Sequence, residues 1–269
     1  MVDPISMASR ATAEQATRTG DKAVRLVVGA SRGIGLALLE EQLKDEGSRK
    51  IIATHRPGSL TPALSSLAQK WDGKLELVPL DVTRDDSIEQ FSEHLQGQDD
   101  GIDLAIHAAG ILHEQDIAPE KTYAQCNAAN LKRLFEVNSI GPLMVAGALL
   151  SAQPRNKTFV FAALSAMVGS IADNRLGGWY GYRASKTALN QFIKTLANEC
   201  RFTHPNAAIV AIHPGTTDTE LSRPFQKNVK PGKLYSPGQT ASRILSVVKN
   251  VDAQQSGRFI NWDGSQIPW

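Results

Sequence analysis

The chain has 269 residues, 42% hydrophobic and 21% charged, with a formal net charge of +2. That length lies near the upper limit for one hydrophobic core, and charge so evenly scattered gives no footprint for nucleic acid. Two cysteines, Cys126 and Cys200, form neither a disulfide framework nor a metal-ligand spacing. They fit a reducing, cytoplasmic setting with no metal site.

Residues 1–22 lack apolar periodicity and the apolar stretch of a secretory signal, so a disordered leader is expected there. From residue 23 to 269 short β-rich runs alternate with helical ones. RLVV (25–28) reads as a strand and is followed by a helix over about 33–46. IIAT (51–54) is the next strand, then LTPALSSLAQKW supplies a helical segment. LELVPL (75–80) is a third strand and DDSIEQFSEHL a helix with apolar positions at helical spacing. DLAIHAAG (103–110) and TFVFAAL (158–164) read as buried strands, with a long helical stretch between them ending near Leu150. Its most apolar run, GPLMVAGALL, is too short to span a bilayer, and no membrane partner is expected. GYRASKTALNQFIKTLANEC is the clearest helix, and AAIVAIH (207–213) and GRFIN (257–261) complete the series. Seven strands alternating with helices predict an α/β, Rossmann-like doubly wound fold. Its parallel sheet is covered on both faces, and a ligand belongs at the strands' carboxyl ends. No linker or repeat divides residues 23–269, so a single domain is expected.

Gly29, Gly33 and Gly35 follow an apolar strand and open a helix, a pattern suited to a pyrophosphate at a helix N-terminus. No Lys-Ser/Thr pair follows, which excludes a Walker-type loop. A carboxylate ending the second strand would favour NAD. The sequence has Arg56 there instead, with Arg32 inside the glycine loop. Two guanidinium groups suit a 2′-phosphate, so NADP(H) is expected over NAD(H). Further along, Tyr182 and Lys186 lie at i and i+4 and share a helix face. A neighbouring ammonium is expected to lower the tyrosine pKa toward the working range.

Taken together, GASRGIG, Asp81-Val82, HAAG (107–110), Asn138 in FEVNSIGP, YRASK, and HPG followed by Thr219 resemble the classical short-chain dehydrogenase/reductase family. The tail SGRFINWDGSQIPW and the stretch GSIADNRLGGWYGYRASK are similar, more narrowly, to the bacterial C-factor and sniffer-type carbonyl reductase branch. The resemblance implies an NADP(H)-dependent oxidoreductase working on a small carbonyl or alcohol substrate. The alternative it allows is a C-factor-type regulatory or signalling protein that binds NADP(H) with little turnover. Cofactor contacts would come from Gly29, Ser31, Arg32, Gly33, Ile34, Gly35, Arg56, Asp81, Val82, Ala108, Ala109 and Gly110. Tyr182, Lys186, Pro214, Gly215, Thr217 and Thr219 would add to them. Tyr182 would be the general acid/base, Lys186 would hold the ribose, and Asn138 would anchor a relay water. His107 stands where the family usually has Asn and is expected to be a buried histidine satisfied by backbone. The family spacing for the catalytic serine lands on Ala166; Ser165, one residue earlier, is expected to take its place and hydrogen-bond the substrate oxygen, with Ser170 after Gly169, or no catalytic serine, as the alternatives. The resemblance further implies a homodimer or homotetramer.

Overall fold

The protein is described from a computed structural model over residues 22–98 and 101–269; apart from Lys22, the expected leader lies outside the described residues. Seven strands form one sheet in the order β3-β2-β1-β4-β5-β6-β9, all pairs parallel. They are β1 (Ala23–Val28), β2 (Ser48–His55), β3 (Leu75–Pro79), β4 (Leu104–His107), β5 (Phe159–Leu164), β6 (Ala207–His213) and β9 (Phe259–Asn261). The chain builds outward from β1 to β3, then returns to place β4 on the other side of β1. That reversal opens a crevice at the carboxyl ends of β1 and β4.

One face carries α1 (Gly33–Lys44), α2 (Pro62–Lys70) and α7 (Pro237–Lys249), which bury Leu38, Leu39, Leu64 and Ile244 against Val27, Ile51 and Val210. The other carries α3 (Asp85–Gln96), α5 (Gly141–Ala152) and α6 (Tyr180–Thr203), which bury Phe91, Leu149 and Ile193 against Leu26, Phe161 and Ile209. Leu26 and Val27 fall on opposite faces because strand side chains alternate. Both faces are covered, so β1, β5 and β6 read as nearly continuous apolar runs.

The expected long helix consists of α4 (Ala128–Phe135) and α5, joined through a wide π-type turn at Glu136–Ile140. By length and composition the 25-residue run could cross a bilayer, yet more than half of its apolar window is buried inside the fold. One small feature had no signal in the sequence. β7 (Thr216–Thr217) and β8 (Leu234–Tyr235) pair in parallel and clamp the two ends of the segment between them. Two residues per strand are too few for a periodicity to show.

Candidate active site

A cleft of about 1150 Å³ runs along the carboxyl ends of the central strands, from the glycine loop past β5 to the segment after β6. At its start the backbone is crowded. Gly29 has φ +82°, and a Cβ there would sit 2.8 Å from the Ala109 backbone; a Cβ at Gly35 would sit 2.1 Å from the Gly29 carbonyl oxygen. Only glycines allow β1, β4 and α1 to converge this tightly. Arg32 is the N-cap of α1 and makes no side-chain cap, and the first turn carries no acid. The first amides of α1 thus keep their anion-binding capacity, as a pyrophosphate would require.

The adenosine end is set by β2 and β3. The Gly29 amide donates to Thr54 Oγ1 at 3.1 Å, which pins the loop to β2. Asp81 Oδ1 accepts from the Thr83 amide at 3.0 Å and from its hydroxyl at 2.7 Å. Burial pushes the Asp81 carboxyl upward, but the Thr83 bonds with Arg133 and Arg56 outweigh it and hold the group below its ordinary value. Arg56 lines the same cleft and has no ion pair among the described residues.

The other end is built on α6. Tyr182 and Lys186 are only 9% and 5% exposed, and the Lys186 Nζ lies 5.9 Å from the tyrosine ring centroid. The Lys186 ammonium donates to the Leu164 carbonyl at 2.9 Å. A Cβ on Gly110 would lie 3.2 Å from Asn138 Oδ1 and 3.5 Å from Lys186 Nζ, so both groups meet at the end of β4. Asn138 Oδ1 accepts from the Ile111 amide at 2.8 Å. Its Nδ2 donates to the Ile111 carbonyl at 2.8 Å and to Ser185 Oγ at 3.1 Å. The wide turn carries this side chain, a common position for functional residues.

Two expectations need correction. Burial, rather than the lysine, dominates the tyrosine: it pushes the Tyr182 phenol up to about 12 and the Lys186 ammonium down to about 8. His107 is buried and burial lowers it to about 3, with the Lys186 charge adding, but its Nε2 has no partner among the described residues. Backbone does not satisfy that nitrogen. Thr217 lines the cleft, with its hydroxyl bonded to Thr240 Oγ1 at 2.8 Å. Ser170, the alternative serine, donates to the Pro268 carbonyl at 2.7 Å and is not among the residues lining the cleft.

Ser165 does line the cleft, but its hydroxyl donates to Asn190 Oδ1 at 2.7 Å. The direction is fixed, because Asn190 Nδ2 donates to the Gly169 carbonyl at 3.2 Å and leaves Oδ1 as the acceptor. Ala166 beside it has no hydroxyl. Asn190 went unremarked in the sequence, although it continues the Tyr182–Lys186 face at i+4 from the lysine. His213 is a further neighbour. Its Nδ1 accepts from the Met167 amide at 3.2 Å, and burial lowers its pKa to about 4. Trp179 enters α6 with φ +53° and packs edge-on to Tyr182 at 6.2 Å and to Phe225 at 5.1 Å, forming an aromatic wall.

The family model for short chain dehydrogenase matches residues 23–230, which contain the glycine loop and all of Asn138, Tyr182 and Lys186. The chain belongs to the short-chain dehydrogenases. This short-chain dehydrogenase is an oxidoreductase by that membership. It is 31% identical to the C-signal of Myxococcus xanthus over 62% of this chain and 93% of that relative. The NADPH-bound carbonyl reductase from chicken fatty liver matches 93% of this chain and 95% of its own, with 26% identity and TM-score 0.78. The carbonyl reductase Sniffer of D. melanogaster shares the fold at TM-score 0.78 and 23% identity, covering 93% of this chain and all of that one.

Proposed function

We propose that this short-chain dehydrogenase is an NADPH-dependent carbonyl reductase with Tyr182 as its proton donor. The single observation that carries the reading is the buried Tyr182–Lys186 face opening on the same cleft as the glycine loop. A pure binding protein has no need of the tyrosine. When bound, a nicotinamide cofactor supplies the hydride. The first amides of α1 would hold its pyrophosphate, Arg32 and Arg56 the 2′-phosphate, and Asp81 the adenine. Ser31, Ile34, Val82, Ala108, Ala109, Gly110, Pro214, Gly215, Thr217 and Thr219 line the same cleft and would supply the remaining contacts.

Tyr182 holds its proton at neutral pH and delivers it to the carbonyl oxygen. Lys186 positions the ribose hydroxyls with the ammonium anchored on Leu164. Asn138 organises the proton path by fixing Ile111 and Ser185. Ser165 supports the site through Asn190 rather than by touching substrate. The likeness to C-signal favours a second reading, an NADP(H)-binding signalling protein with little turnover. Nicotinamide absorbance followed with NADPH and NADH over aldehydes, ketones and quinones separates the two. Faster turnover with NADPH is expected, with Tyr182→Phe lowering it at least about 1000-fold at little change in cofactor affinity. Full activity in that variant would refute the tyrosine role, and no turnover on any carbonyl would favour the signalling reading.

A further inference from the structure

The two arginines near the expected 2′-phosphate position are not equivalent. Arg56 pairs with no carboxylate among the described residues, whereas Arg32 Nη1 is 2.5 Å from Glu220 Oε2, 188 residues away in sequence. Glu220 belongs to the segment between β7 and β8, so the pair runs across the mouth of the cleft from the glycine loop to that segment. Gly33 faces Thr219 across the same gap. The Glu220 carbonyl bonds with His113 Nε2 at 3.3 Å, and Phe225 packs edge-on to His113 at 5.8 Å and to Trp179 at 5.1 Å. The segment is therefore held at three points: an ion pair, a hydrogen bond and an aromatic wedge. The ion pair is the one involving a residue that a cofactor would also use.

We propose that Glu220 is a specificity-determining residue that competes with the adenosine 2′-phosphate for Arg32, so that a 2′-phosphorylated cofactor unlatches the segment over the cleft while an unphosphorylated one leaves it latched. The inference rests on the reading above, in which Arg32 receives that phosphate. A phosphate dianion offers the guanidinium a bidentate partner with more charge than one carboxylate, so it wins the exchange. NADH carries only a hydroxyl at that position and has nothing to draw Arg32 away. The side chains of Arg32 and Glu220 are 68% and 61% exposed. Exposed pairs are weak and salt-screened, as a latch that opens on binding must be. By linkage the competition is reciprocal: whatever loosens the pair tightens the 2′-phosphorylated ligand.

The test is equilibrium binding of NADPH and NADH to the full chain, as wild type, Glu220→Gln, Arg32→Ala and the double variant. Glu220→Gln should tighten NADPH about three- to five-fold at low salt, with NADH changed less than about 1.5-fold. The gain should shrink at high salt and vanish in the Arg32→Ala background. If wild type prefers NADPH and Arg32→Ala removes that preference, yet Glu220→Gln leaves NADPH affinity unchanged, the latch is wrong and the cofactor reading stands. If wild type binds both cofactors alike and Arg32→Ala changes neither, the cofactor reading fails and takes the latch with it.

Discussion

Tyr182 and Lys186 feel the same burial with opposite signs. Removal from water disfavours the charged form of each, which keeps the phenol protonated up to about 12 and sheds the lysine proton above about 8. The pair therefore suits reduction, where a protonated tyrosine gives its proton to an oxygen. The kcat/KM for carbonyl reduction should be flat near neutrality and fall about tenfold per unit above roughly pH 8, as the Lys186 ammonium is lost. A profile flat to pH 10 would detach the rate from the lysine. The stability consequence has a defined sign. Between about 8 and the ordinary lysine value of 10.5 the unfolded chain holds a proton on Lys186 that the fold does not, so stability from this residue rises with pH. The pairing itself was legible from the i, i+4 spacing. The tyrosine pKa was not, because spacing reports proximity and says nothing of how much water a fold removes.

Between elements, the loop after β5 is tied to α6 by Ser165 and Asn190, with the Gly169 carbonyl taking the other end of the amide. The Ser165 hydroxyl thus joins a strand end to the helix that carries Tyr182 and Lys186. Ser165→Ala would strand Asn190 Oδ1 in the interior and cost about 1–3 kcal/mol, read by chemical denaturation. Turnover should change by less than about threefold. A loss near 100-fold, of the size seen when a donor to the reacting oxygen is removed, would return the residue to direct contact with substrate. The serine question could not be closed from sequence, since a count of residues locates a hydroxyl along the chain but not its hydrogen-bond partner. The π-type turn at Asn138 escaped notice for a related reason. One extra residue in a helical turn leaves the apolar pattern on both sides intact.

Across the molecule, the seven sheet strands and the two covered faces were legible because runs of β-branched or small apolar residues alternate with helical periods; the order of the strands in the sheet comes from the structure. What the pattern missed is carried by single contacts between distant segments. Residues 267–269 show this. The Ser170 hydroxyl donates to the Pro268 carbonyl, the Ala172 amide donates to the Trp269 carbonyl at 3.1 Å, and the Trp269 ring stacks on Phe259 at 5.6 Å. They strap down the stretch that leads from β5 into α6. Trp269→Ala should cost about 2 kcal/mol and speed amide exchange at Ala172 and Asp173 while β1 to β3 stay protected. Uniform acceleration across the sheet would mean global destabilisation rather than a local strap.

Trp179 holds a left-handed backbone that bulky side chains rarely adopt, at a cost of roughly 1–3 kcal/mol. A glycine there would relieve the cost outright. The same substitution would give up the ring that packs against Tyr182 and Phe225. The backbone strain at Trp179 is thus set against its own packing, and the chain bears the one to hold the other in the wall of the cleft.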